Sequence, residues 1–140
     1  LIKNGFTLME LICTLAILAV VITVSVPYAF DIGSIKFETA QHKLLNDIRY
    51  YQELSDFTNK THTLIFYNTY YVISNGINSS RVYLPDGVKL TVISGSNTIK
   101  FESDGMPVGI YGSGCSLKLS YEEKNVILTI RPITGRVKIK

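Results

Sequence analysis

The sequence predicts an α+β protein: one long N-terminal α-helix, membrane-spanning in its first half and amphipathic in its second, packed on antiparallel β-sheets. Three observations predict it. Residues 6–26 form an apolar run broken by a single charge, Glu10. Residues 36–58 repeat apolar side chains every three or four positions. From Thr61 onward, short runs rich in β-branched and aromatic residues alternate with turn signals.

The apolar run comes first. As a helix, residues 6–26 rise about 30 Å, one hydrocarbon thickness. A buried core helix is seldom apolar on every face for so long in a chain of 140 residues. A secretory signal has a shorter apolar run and then a small-x-small cleavage site. Here the run ends in Val26, Pro27, Tyr28 and Ala29 and holds a carboxylate. A spanning helix over residues 6–30 fits best. Glu10 then needs its own reason, because a carboxylate inside a bilayer costs roughly 2.5–3.5 kcal/mol on insertion scales. Lys3 serves partly as a counter-charge. A cation supplied by another copy of such a helix serves better.

Residues 31–140 read as one soluble domain. Pro27 removes a backbone hydrogen bond and kinks the helix, and Gly33 adds local freedom. Phe37, Ala40, Leu44, Ile48, Tyr51, Leu54 and Phe57 then define one apolar helical face that a sheet must bury. Strands are predicted at residues 63–67, 70–74, 81–84, 88–93, 98–102, 116–121, 126–131 and 136–139. Turns fall at Asn68 and Thr69, at Pro85 to Gly87, at Gly95 to Asn97, and at Glu123 to Asn125. Residues 105–114 form the one long irregular loop.

Composition excludes several classes. The chain is 46% hydrophobic and 18% charged, too apolar for disorder. A net charge of +3 is too small to argue for nucleic acid by itself. Two cysteines cannot staple a mini-fold, and His42 and His62 cannot build a metal site. No metal and no cofactor is expected. The loop at 105–114 lacks the Gly-Lys-Ser/Thr of a phosphate cradle and leads to a strand. Cys115 beside either histidine has no orienting third residue, so it reads as a small buried side chain at a strand start. No enzyme is expected.

The segment Gly-Phe-Thr-Leu-Met-Glu-Leu at residues 5–11, set directly before the uncharged run, resembles the class III signal of type IV pilins and type II secretion pseudopilins. The resemblance implies a pilin-like fold and a peptidase cut after Gly5, with methylation of the new N-terminus at Phe6. It also implies that Glu10 pairs with the N-terminal amine of a neighbouring subunit during assembly. Pro27 occupies the family's proline position. Residues 1–5 are then a leader remnant with Lys3 as its only basic residue, either truncated or processed from another start. Residues 84–107, the glycine-rich loop and the ending with Gly135, Arg136 and Val137 resemble GspH/FimT-type minor pilins and pseudopilins. No acidic calcium-loop cluster of a major pseudopilin is evident.

The expected function is therefore structural: a minor pilin or pseudopilin of a type IV pilus, type II secretion or competence machine. Its implied partners are other pilins, the prepilin peptidase, the inner-membrane assembly platform and the membrane itself. The implied place is the bacterial inner membrane, single-pass with a cytoplasmic N-terminus, and then the filament. An alternative is a DNA-uptake minor pilin that binds DNA through Arg131, Arg136, Lys138 and Lys140, a tail with four bases and no acid. Against it stands the plainer reading of an edge strand protected by charge.

Overall fold

The structure, a computed structural model, describes residues 7–29, 32–107 and 114–140. It divides into two compact units, Leu1–Ile32 and Gly33–Lys140.

In the first unit, helix α1 runs over Leu8–Ala29. Thr7 starts it: its carbonyl accepts from the Glu10 and Leu11 amides at 3.1 Å each, and its Oγ1 also accepts from the Glu10 amide at 3.3 Å. Thr7 and Glu10 thus hold the N-cap and third positions of a capping-box sequence, where a carboxylate also favours the positive end of the helix dipole. Side chains 8–24 are exposed all round. The two hydroxyls at Thr14 and Thr23 donate to Leu11 O and Val20 O at 2.9 and 2.8 Å, so each is satisfied inside the helix. The expected weakening at Pro27 does not stop α1, which passes it and ends at Ala29. Among the described residues no helix is long and apolar enough to cross a membrane. The described side chains of α1 stop at residue 24, short of Val26 where the uncharged run ends.

In the second unit, helix α2 covers Ile32–Thr58 and buries Phe37, Ala40, Leu44, Leu45, Ile48 and Ser55. Phe57, expected on this face, is 90% exposed instead. At about 100° per residue, steps of three and four drift, and twenty residues after Phe37 the side chain points to the opposite side. Ser55 falls back on the axis of the stripe and takes the buried place. Gly33 is helical, not a point of freedom. A Cβ there would collide with the Tyr121 ring, which packs over the start of α2.

Among the described residues eight strands follow: β1 His62–Phe66, β2 Tyr70–Ser74, β3 Ser79–Tyr83, β4 Lys89–Ser94, β5 Thr98–Phe101, β6 Cys115–Tyr121, β7 Lys124–Ile130 and β8 Val137–Ile139. They form two four-stranded antiparallel sheets, ordered β3-β2-β1-β5 and β4-β6-β7-β8. One turn is corrected. Tyr121 pairs with Lys124, so Glu122 and Glu123 make a two-residue hairpin loop and Lys124 and Asn125 belong to β7. Glu122 supplies the positive φ, 51°, that such a tight loop demands. Residues 108–113 of the long loop lie outside the described residues.

Alternation along the strands sends Leu64, Phe66, Ile99 and Phe101 of the first sheet, and Leu117, Leu119, Leu128 and Ile130 of the second, into one core with the α2 stripe. Polar contacts then fix α2 on that core. The Tyr71 hydroxyl donates to Asp47 Oδ2. Burial, and then the Asp47 carboxylate, push the Tyr71 hydroxyl well above its ordinary pKa. Gln52 Nε2 donates to Gly105 O at 3.2 Å and to Thr134 O at 2.8 Å, tying two loops to one helix turn.

Candidate functional site

Gly5 and Phe6 lie outside the described residues. Glu10 is described: it stands exposed in the first turn of α1, among exposed Leu8, Met9, Leu11 and Ile12. The apolar side chains around it on α1 supply no cation. A counter-charge must come from outside α1. Thr7 is the residue sequence reasoning missed, although Thr-x-x-Glu before an apolar run is a readable signal.

Of the basic tail, Lys138 lies on β8, an edge strand, with Arg136 and Lys140 at its two ends and Arg131 just after β7. Val137 points inward and is buried, while Arg136 and Lys138 on either side are exposed. The Arg131 amide donates to Arg136 O at 3.0 Å, and Lys138 stands opposite Thr129. Only Arg136 and Lys138 come together on one groove, of about 590 Å³, and Arg131 and Lys140 are not among its walls. The same groove holds Glu53, Asp56 and Asp104. With Arg49 also in its wall, three carboxylates match three cations and leave the groove without the positive excess that would draw a phosphate chain.

The nucleophile candidates are structural. Cys115 opens β6 in the core, and burial pushes its thiol up to about 12, where it is inert at neutral pH. His42 is exposed on α2, whereas His62 is buried and its Nδ1 lies 2.9 Å from Ser55 Oγ. The Ser55 hydroxyl spends its only hydrogen on Tyr51 O at 2.7 Å. It therefore accepts from Nδ1–H, the reverse of what an activated serine needs. Among the described residues no group of His, Cys, Asp and Glu is arranged to hold a metal ion.

An aromatic cluster on the first sheet was also missed. Register places Tyr70 opposite Tyr83 and Val72 opposite Arg81, on the face away from buried Tyr71 and Ile73. Tyr67 and Tyr70 stack with ring centroids 4.6 Å apart, and Tyr83 tilts against Tyr70 at 5.7 Å. The Arg81 guanidinium sits 4.8 Å over the Tyr70 ring and donates to the Tyr83 hydroxyl at 3.3 Å. Alternation of these residues on adjacent predicted strands was the available signal.

Residues 2–26 match the family described as the prokaryotic N-terminal methylation motif. No curated protein matches the chain. The chain is similar in structure to the type IV minor pilin FimU of Pseudomonas aeruginosa (strain PAO1), solved in two crystal forms. In the P21 form the TM-score is 0.61 at 10% identity, over 77% of this chain and 90% of that one. In the P65 form it is 0.57 at 11% identity, over 74% and 91%. At such identity the likeness is one of fold: a helix on antiparallel sheets, as in that pilin.

Proposed function

We propose, for a chain that joins an N-terminal methylation motif to a type IV pilin-like fold, the role of a minor pilin: a structural subunit of a type IV filament, not an enzyme. One observation carries the reading. An all-round apolar helix begins with a single exposed carboxylate, Glu10, held in its first turn and given no cation by its own helix. Such a helix is suited to lipid or to packing among other helices. In this reading the chain enters the inner membrane as a single pass with its N-terminus cytoplasmic. The prepilin peptidase cuts after Gly5 and Phe6 is methylated. Glu10 then meets the Phe6 amine of a neighbouring subunit. In a low-dielectric setting the attraction is large and so is the desolvation cost, so the pair selects correct joining more than it adds stability.

Glu10→Gln keeps shape and removes the charge. It is expected to leave membrane localisation and leader cleavage near normal, while recovery with filament pilins falls about tenfold or more, the scale of one lost pair of about 1.4 kcal/mol. Undiminished recovery counts against the mechanism, and loss of insertion points to a different role for Glu10.

DNA uptake through the C-terminal strand is the second reading, and the carboxylates that share the Arg136 and Lys138 groove weigh against it. The expected result is that the protein gives no salt-sensitive DNA mobility shift. A shift lost on Arg136→Ala with Lys138→Ala would restore that reading.

A further inference from the structure

Among the described residues the two sheets have four edge strands, β3, β5, β4 and β8. An edge leaves a row of backbone N–H and C=O groups unpaired, and proteins cover, shorten, charge or bend such rows. Three of the four are treated in this way. The chain returns along β5, where Phe101 bridges to Pro107. β4 is bulged between Val92 and Ser94, and its Leu90 amide donates to Asn68 O at 2.8 Å. β8 has three residues, with Lys138 between Arg136 and Lys140. β3 is different: it has five residues in unbroken register with β2 and holds neither lysine nor proline. Its one charge, Arg81, is drawn back over the Tyr70 ring of β2, away from the edge.

Register fixes what this edge offers. The Leu84 amide donates to Thr69 O, and the Asn75 amide to Asn78 O, at the two ends of the β2 and β3 ladder. Alternation between those ends turns the backbone groups of Ser80 and Val82 toward β2. Those of Ser79, Arg81 and Tyr83 turn outward. On the inner side of the same edge, Tyr51 and Leu54 of α2 join His62, Ile73, Ser79 and Ser80 around a cavity of about 290 Å³. None of its walls carries a Lys, Arg, Asp or Glu side chain.

We propose that β3 takes a further strand: an extended peptide segment of another protein, antiparallel to β3, with an acidic side chain opposite Arg81 and an apolar one in the cavity. The Arg81 N–H and C=O exchange two hydrogen bonds with the residue opposite. Side chains opposite one another share a face, so that residue stands beside the Arg81 guanidinium, and the next one points inward over Ser80. Charge selects the acid. Between Lys60 and Asp86, Arg81 is the only Lys, Arg, Asp or Glu in the chain. Lys100 shares its sheet face but stands three strands away, matched by Glu102 at 3.7 Å.

Arg81 is already held by Tyr70 and Tyr83, so little rotamer freedom is lost when a carboxylate arrives. A second copy fits poorly, because two β3 strands laid antiparallel over their full length set Arg81 opposite Arg81. A nucleic acid meets one cation, and a Tyr70 ring already covered by Tyr67 and Arg81. The inference goes beyond the filament reading and stands on the Gly33–Lys140 unit alone.

The test titrates the full chain in detergent micelles with a fluorescent peptide, Thr-Val-Thr-Asp-Leu-Thr-Val, capped at both ends. Saturable binding is expected, with slowed hydrogen exchange at the Ser79, Arg81 and Tyr83 amides. A methyl group on the aspartate nitrogen removes the donor aimed at Arg81 O and should weaken binding roughly three- to tenfold. The same group on the leucine nitrogen, which points away from β3, should leave binding near unchanged. Lysine in place of the peptide's aspartate, or Arg81→Glu in the chain, should each weaken binding about tenfold or more. The two changes together should restore it, which a folding defect could not do. No saturable binding, or binding indifferent to aspartate methylation or to Arg81→Glu, overturns the proposal. So does a chain that pairs with itself through β3 and takes no peptide, which would give the edge to a second copy. Glu10-dependent recovery with pilins is read separately, so failure here leaves the filament reading standing.

Discussion

Gly135→Ala is expected to destabilise the folded Gly33–Lys140 unit by about 3 kcal/mol, a loss that chemical denaturation of the chain in detergent would measure. Two effects combine. Gly135 has φ 62°, and a side chain in that left-handed region costs roughly 1–2 kcal/mol. A Cβ there would also stand 2.5 Å from Gln52 Nε2 and 3.2 Å from Phe101 Cε1. Gln52 must then swing away and release Gly105 O and Thr134 O, at about 0.5–1.5 kcal/mol for each hydrogen bond. Gly76 is the control, because its φ is similar at 85° but nothing lies within 4 Å of its would-be Cβ. Gly76→Ala should cost only the backbone part, about 1 kcal/mol. Equal losses at both positions would mean that the Gln52 tie contributes nothing.

Gly5→Leu is expected to stop leader removal altogether when the chain is co-expressed with a prepilin peptidase, read as an unshifted band and an intact N-terminal peptide. The peptidase must draw an extended backbone close to its own catalytic groups, and a glycine offers no side chain to obstruct that approach. Leucine places a branched side chain where the cut is made. Normal trimming of this variant would place the cut elsewhere.

Much of this fold was legible because burial alternates with period two and the turns carry their own residues. All eight strands lie within a few residues of where β-branched runs were found. The α2 stripe was legible for its first turns, and Phe57 was misplaced because counting threes and fours ignores the accumulated rotation. The hairpin at Glu122 was displaced because its positive φ falls on a residue type that rarely signals one. Contacts between distant residues were not legible. Gln52 reaches Gly105 and Thr134, 53 and 82 positions away, and nothing local in a polar helix residue announces that. The C-terminal strand shows the same division. Its exposed Arg136 and Lys138 about a buried Val137 were readable, but the carboxylates of α2 and Asp104 that share its groove arrive only through the fold. Glu10 was legible as an anomaly, and Thr7 as its cap was there to be read.

The central claim is that residues 1–5 are removed so that Phe6 becomes a modified N-terminus facing Glu10 of a neighbour. Mass spectrometry of the N-terminal peptide, from the chain co-expressed with a prepilin peptidase, tests it most directly. The account predicts a peptide that begins at Phe6 and carries one added methyl group. A peptide that still contains Gly5, or one that begins at Phe6 but bears no methyl group, would contradict it.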